Sequence, residues 1–318
     1  MTHEHVGNQN RMDRPLDFLW LELTNRCNLQ CTHCYAESGP DADVSNQLSA
    51  GEHEHLLRQA FDLGCRKVQF IGGEPTLNKD LGKLVAAASG MGYEFIEIFS
   101  NLTRLPDDLL HCIKKYNVCV ATSVHAPTEA VHDRITRTAG SFSRTIGNLR
   151  KLVANGISAR VAMVAMAENA SLADSTVAFL KDDVGVYEVK VDYQRPFGRA
   201  SGAEAQLQNL CGACASDTLC IGPSEEVSPC IMSRKWGVGS VKSQSLVEIV
   251  SSNRLSTLRN DIGRAVSTQR GFGPDDFAST CDPSADCGPQ VCNPVISCHP
   301  IDRQPNIARH GDSRAAQH

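Results

Sequence analysis

A chain of 318 residues with 41% hydrophobic and 21% charged content fits one large soluble domain, or one with a smaller companion. Its net charge of −5 gives no basic footprint for nucleic acid or an anionic membrane surface. No secretory h-region stands in MTHEHVGNQNRMDRP, and no run nears the roughly 18 apolar residues of a membrane span. The expected location is the cytoplasm, where the 14 cysteines point to metal or redox sites rather than disulfides.

LDFLWLELT (16–24) reads as a first strand. Ser49-x-x-Glu52 is a capping-box signal for a helix with Leu56, Leu57, Ala60 and Phe61 on one face and Gly64 as its stop. KVQFIGG (67–73) is the second strand, followed by a helix striped with Leu81, Leu84, Val85 and Ala88. YEFIEIFS (93–100) is the third, before a helix carrying Leu109, Cys112, Ile113 and Tyr116. NVCVATS (117–123), a helix near 142–155, SARVAMV (158–164), a helix near 171–182 and YEVKVDY (187–193) complete six βα units. Such alternation with right-handed crossovers predicts an α/β fold, a partial (β/α)6 TIM-like barrel over residues 16–200. GRASGAEAQLQN (198–209) is small, polar and linker-like. From 211 the chain turns rich in Cys, Gly and Pro and poor in helical stripes, which predicts a small cysteine-rich C-terminal domain over 205–305. Cys65, Cys112 and Cys119 fall at core positions and read as buried apolar residues, whereas EHEH (52–55) reads as a solvated helix face.

Barrel enzymes place their chemistry at the C-terminal ends of the strands, and Cys27, Cys31 and Cys34 lie in the loop after strand one. Soft thiolates suit iron–sulfur clusters or zinc. A structural zinc would take a fourth Cys or His, and His33, lying between two of the cysteines, is poorly placed to be it. Three thiolates on a four-iron cluster leave one iron open. The CxxxCxxC loop after strand one of a partial barrel resembles the radical S-adenosylmethionine (SAM) enzymes. The resemblance implies a fourth iron that binds the methionyl amino and carboxylate groups of SAM. It also implies reductive cleavage to a 5′-deoxyadenosyl radical, with an external electron donor such as flavodoxin or ferredoxin.

The same resemblance assigns further residues. GGEP (72–75) looks like the loop along the methionyl ammonium, with Gly72 and Gly73 allowing close approach and Glu74 accepting a hydrogen bond. Ser100 and Asn101 match ribose or carboxylate contacts, Ser123 and either Arg134 or Arg137 match carboxylate contacts, and Tyr35 resembles an aromatic beside adenine. In the tail, Cys211, Cys214, Cys220 and Cys230 form one set and Cys281, Cys287, Cys292 and Cys298 another, enough to close two more four-iron clusters. CIGPSEEVSPC (220–230) reads as a hairpin, and the region resembles a SPASM domain or its one-cluster relative, twitch. Its spacing departs from the usual SPASM pattern, so the assignment of cysteines to clusters stays open. Zinc is a competitor for one set, and Cys220 is the weakest ligand because an apolar residue would serve at its strand position.

Enzymes of this kind mostly oxidise or crosslink side chains, and the resemblance points most to maturases of ribosomally made peptides. Only about 15 residues precede strand one, so a precursor peptide would need a direct groove or a separate leader-binding protein. Ile231 stands where sulfatase-maturing relatives place an aspartate base, which disfavours formylglycine formation. Asp192, at the end of strand six, is the candidate base or substrate contact, with a salt bridge to Arg195 or Arg199 as the alternative. Dehydrogenation or epimerisation of a sugar-like or aminoglycoside molecule is the second reading. A non-catalytic iron–sulfur electron carrier is a third, which the open iron argues against.

Overall fold

A computed structural model describes residues 16–201 and 204–270. Six parallel strands form the barrel wall: β1 (Phe18–Glu22), β2 (Lys67–Ile71), β3 (Phe95–Phe99), β4 (Cys119–Ser123), β5 (Ala159–Ala165) and β6 (Glu188–Tyr193). Each falls inside its predicted run or within one residue of it. Among the described residues the sheet has nine strands in the order β6-β5-β4-β3-β2-β1-β7-β8-β9, with β7 (Thr218–Ile221), β8 (Glu226–Ser228) and β9 (Gly239–Ser240) added after β1. The predicted hairpin is therefore a continuation of the barrel sheet. Strand β7 pairs parallel to β1, with Trp20 opposite Cys220, and β8 returns antiparallel.

Helices α1 (Ala50–Asp62), α2 (Leu81–Met91), α3 (Asp107–Lys115), α4 (Glu129–Thr136), α5 (Ser141–Ala154) and α6 (Ala173–Phe179) accompany the barrel. The α1 capping box forms as predicted, with Ser49 and Glu52 each bonding the other's backbone N–H. The core lies between helices and sheet: Leu19, Leu21, Val68, Phe70 and Ile98 point outward onto Leu56, Leu57, Leu84 and Val85. Strand alternation sends the other residues inward, where Glu97 takes two bonds from Arg160 at 2.7 and 2.8 Å and one from Gln69.

Two expectations fail locally. Within EHEH, His53 is fully buried rather than solvated, because it falls on the same face as Leu56 and Leu57. The C-terminal region is not poor in helix: α7 (Leu246–Val250) follows a second capping box, Ser245 with Glu248, and α8 (Asn253–Arg270) buries Leu255, Ile262 and Val266. Helix α4 (Glu129–Thr136) forms between β4 and α5, where the sequence pattern predicts no element.

Candidate active site

The loop that carries Cys27, Cys31 and Cys34 leaves β1 and is held on every side by backbone bonds. Cys27 N–H donates to the Gly39 carbonyl at 3.0 Å, Gln30 N–H to Thr136 at 3.1 Å and Thr32 N–H to Ile135 at 2.9 Å, so the C-terminal end of α4 supports its middle. Arg199 closes the far side: its N–H donates to the Cys34 carbonyl at 3.1 Å, Nε to Cys31 at 2.9 Å and Nη2 to Ser38 at 2.8 Å. Gly198, at φ +52°, makes that approach; a Cβ there would stand 2.4 Å from the Cys34 carbonyl oxygen. The segment predicted as a linker is thus a clamp on the thiol loop.

The GGEP loop docks on the same backbone. Gly73 N–H donates to the Thr24 carbonyl at 2.6 Å and Glu74 N–H to Arg26 at 2.9 Å. A Cβ on Gly72 would lie 2.6 Å from Thr24 O and one on Gly73 2.2 Å from Arg26 O, so both glycines permit a close approach between two segments of this chain. The Glu74 carboxylate is buried and accepts from Thr76 N–H at 3.0 Å, Ser100 Oγ at 2.8 Å and Asn101 N–H at 2.8 Å. Burial raises its proton affinity, and those bonds partly offset the rise. Asn101 Nδ2 reaches the Cys27 sulfur at 3.8 Å and Asn28 Oδ1 at 2.9 Å, tying the end of β3 to the thiol loop.

Cys27 is pushed up to about 11 and Cys31 to about 12, chiefly by burial, then by Glu74 and Cys34 for Cys27 and by Cys34 and Cys27 for Cys31. Among the described residues no three His, Cys, Asp or Glu side chains converge as one bare ion requires. The fit to an iron–sulfur group therefore rests on donor chemistry, three soft sulfurs presented by one braced loop. Thr32 Oγ1, His33 Nδ1, Ser38 Oγ and His125 Nδ1 are buried there without a protein partner, which fits a polar ligand beside the loop. His33 stacks edge-on against His125 with centroids 4.7 Å apart.

Other predicted site residues have settled surroundings. The Tyr35 ring packs near His33 and Phe197, and its hydroxyl accepts from Arg195 N–H at 3.2 Å. Asp192 points inward and is buried, accepting from Tyr193 N–H at 2.8 Å with Arg195 Nε at 3.5 Å. Its salt-bridge partner is therefore Arg195, while Arg199 serves the thiol loop. Ser123 ends β4 half-buried. Arg137 caps the C-terminus of α4 at φ +54° and is exposed, and Arg134 pairs with Glu168 at 3.7 Å on the surface.

Cys211, Cys214, Cys220 and Cys230 pack in one hydrophobic cluster with Phe18, Trp20 and Met232 beside β1 and β7. A hydrogen bond from Cys214 holds Cys230 below its usual thiol range, and burial drives Cys220 well above it. Cys281, Cys287, Cys292 and Cys298 lie outside the described residues. Sequence reasoning missed the role of Arg199, since only the fold brings it to the loop.

The pattern of the radical SAM superfamily matches residues 21–179, and that of SPASM, an iron-sulfur cluster-binding domain, matches residues 211–282. Over 166 residues the chain is 29% identical to the antilisterial bacteriocin subtilosin biosynthesis protein AlbA of Bacillus subtilis, covering 52% of this chain and 36% of AlbA. It is 30% identical over 191 residues to a probable GTP 3′,8-cyclase of Saccharolobus solfataricus, covering 59% of this chain and 60% of the cyclase. The chain thus spans less than two-thirds of either relative's length. SuiB of Streptococcus suis, in a crystal structure with bound S-adenosylmethionine, shares the fold with a TM-score of 0.63 at 16% identity, covering 77% of this chain and 67% of SuiB. Among the described residues no helix is long and apolar enough to cross a membrane.

Proposed function

The chain belongs to the radical SAM superfamily, and on that premise we propose that it matures a ribosomally made precursor peptide by crosslinking or otherwise oxidising its side chains. Its cofactors are [4Fe-4S] clusters and SAM, which together supply one-electron cleavage of SAM and hydrogen-atom abstraction from the substrate. In this reading Cys27, Cys31 and Cys34 ligate the SAM-binding cluster. The oxygen of Glu74 that faces Asn101 keeps one lone pair for the methionyl ammonium. Tyr35, Gly72, Gly73, Ser100, Asn101, Ser123 and Arg137 complete the SAM side, and Asp192 is the acidic group on the inward face at the mouth. The tail cysteines ligate one or two auxiliary clusters. Residues 16–200 form the barrel domain and 205–305 the auxiliary one, the protein works in the cytoplasm, and a flavodoxin or ferredoxin delivers the electron. The precursor is recognised through a direct groove or through a separate leader-binding protein.

The peptide reading is carried by one feature of the surface. Tyr187, Val191 and Tyr193 are exposed on the outward face at β6, the terminal strand of the sheet, and Asp192 between the last two points into the barrel. An extended peptide can pair with such an edge and run on to the mouth. The similarity to AlbA supports the same substrate class. A small polar substrate is the second reading, favoured by the inward polar layer of Gln69, Glu97 and Arg160. Reconstituted protein incubated with SAM, dithionite and a genome-neighbour precursor peptide should yield peptide lighter by two hydrogens per crosslink in mass spectrometry. Unaltered peptide, with SAM cleavage stimulated only by an aminoglycoside, would reject the peptide reading.

A further inference from the structure

Arg234 follows the hairpin cysteine Cys230 by four positions, yet its guanidinium lies against the first strand. Nε donates to Glu22 Oε2 at 2.9 Å, Nη2 to Glu22 Oε1, and Nη1 to the Tyr35 carbonyl at 3.2 Å. Glu22 is the last residue of β1 and is 1% exposed. Tyr35 directly follows Cys34. One planar fork therefore grips the thiol loop at its entry and its exit, an arrangement an ammonium cannot reproduce. A carboxylate as buried as Glu22 needs such a partner. The guanidinium also acts electrostatically on Cys34 of the loop and Cys220 of the hairpin, and Glu22 acts on Cys220.

We propose that the Glu22–Arg234 pair is a positioning device through which the C-terminal hairpin fixes the thiol loop and tunes the reduction potential of its cluster. A fixed cation beside a cluster favours the more negative, reduced state and raises the midpoint; a fixed anion lowers it. The pair thus makes the loop cluster's potential depend on how the hairpin is seated. The inference requires the family cofactor and is independent of the substrate.

The test is a potentiometric titration followed by electron paramagnetic resonance on the reconstituted full chain, reading the signal that changes when SAM is added. Arg234→Gln should shift that midpoint negative, and Glu22→Gln should shift it positive. Arg234→Lys should keep the midpoint close to wild type while altering the SAM-induced change in the spectrum, because the charge stays and the two-ended grip is lost. Opposite signs from the two neutral variants separate tuning from simple loss of structure. Should Arg234→Gln fail to load iron, Glu22→Gln and Arg234→Lys carry the test. Wild-type midpoints and spectra in the folded variants, or shifts of one sign in both neutral variants, would overturn the proposal.

Discussion

The carboxylate of Glu74 has three protein donors, the N–H groups of Thr76 and Asn101 and the Ser100 hydroxyl, and both of its oxygens are occupied. Replacing it by Gln puts an amide NH2 opposite at least one backbone N–H, which costs about 1–3 kcal/mol of stability. If the remaining lone pair also takes the methionyl ammonium, losing the charge lowers SAM affinity by about tenfold to a hundredfold. Glu74→Gln is therefore expected to lower both the melting temperature and SAM affinity. Calorimetric titration with SAM and thermal unfolding on one preparation check this. A lower melting temperature with unchanged affinity would reduce Glu74 to a brace between β2, β3 and the thiol loop. His53 makes a second argument. Both of its ring nitrogens are buried without a protein partner, and burial holds it down at about 4 against an ordinary value of 6.5. The unfolded chain binds the proton first, so this contribution is complete above about pH 6.5 and is lost as pH falls toward 4, in total about 3 kcal/mol. His53→Leu should narrow the gap in unfolding free energy between pH 7.5 and pH 5; an unchanged gap would contradict the burial argument.

At the scale of elements, the barrel was legible because its signals are local. Each strand is a short apolar or alternating run, and Ser49 with Glu52 marks α1 without any tertiary information. The second capping box at Ser245 and the stripe Leu255, Leu258, Ile262 and Val266 carry equally local signals, which the density of Cys, Gly and Pro around them obscured. The three thiols and GGEP were likewise readable, since each falls just past a strand. What could not be read was non-local: β7 pairing with β1, Arg199 reaching back to Cys31, and Arg234 reaching Glu22 across 212 positions. Nothing in a single sequence reports which carbonyls an arginine will cap. Glu74, Ser100 and Asn101 show the same limit, as their motif points to a ligand while the fold also uses them to bind one another.

For the molecule as a whole, one continuous sheet joins the strand that presents the thiol loop to the hairpin that carries the tail cysteines. The described tail cysteines thus share a sheet with the thiol loop, and Phe18 and Trp20 of β1 pack against them. In the proposed function the cluster held by Cys27, Cys31 and Cys34 cleaves SAM at an open iron, while the tail thiols hold iron of their own. The direct measurement is 5′-deoxyadenosine formed by the anaerobically reconstituted Cys27→Ala, Cys31→Ala, Cys34→Ala triple variant with SAM and dithionite, alongside its iron content. The nucleoside should be absent and tail iron retained. Production of 5′-deoxyadenosine at the wild-type rate would contradict the claim.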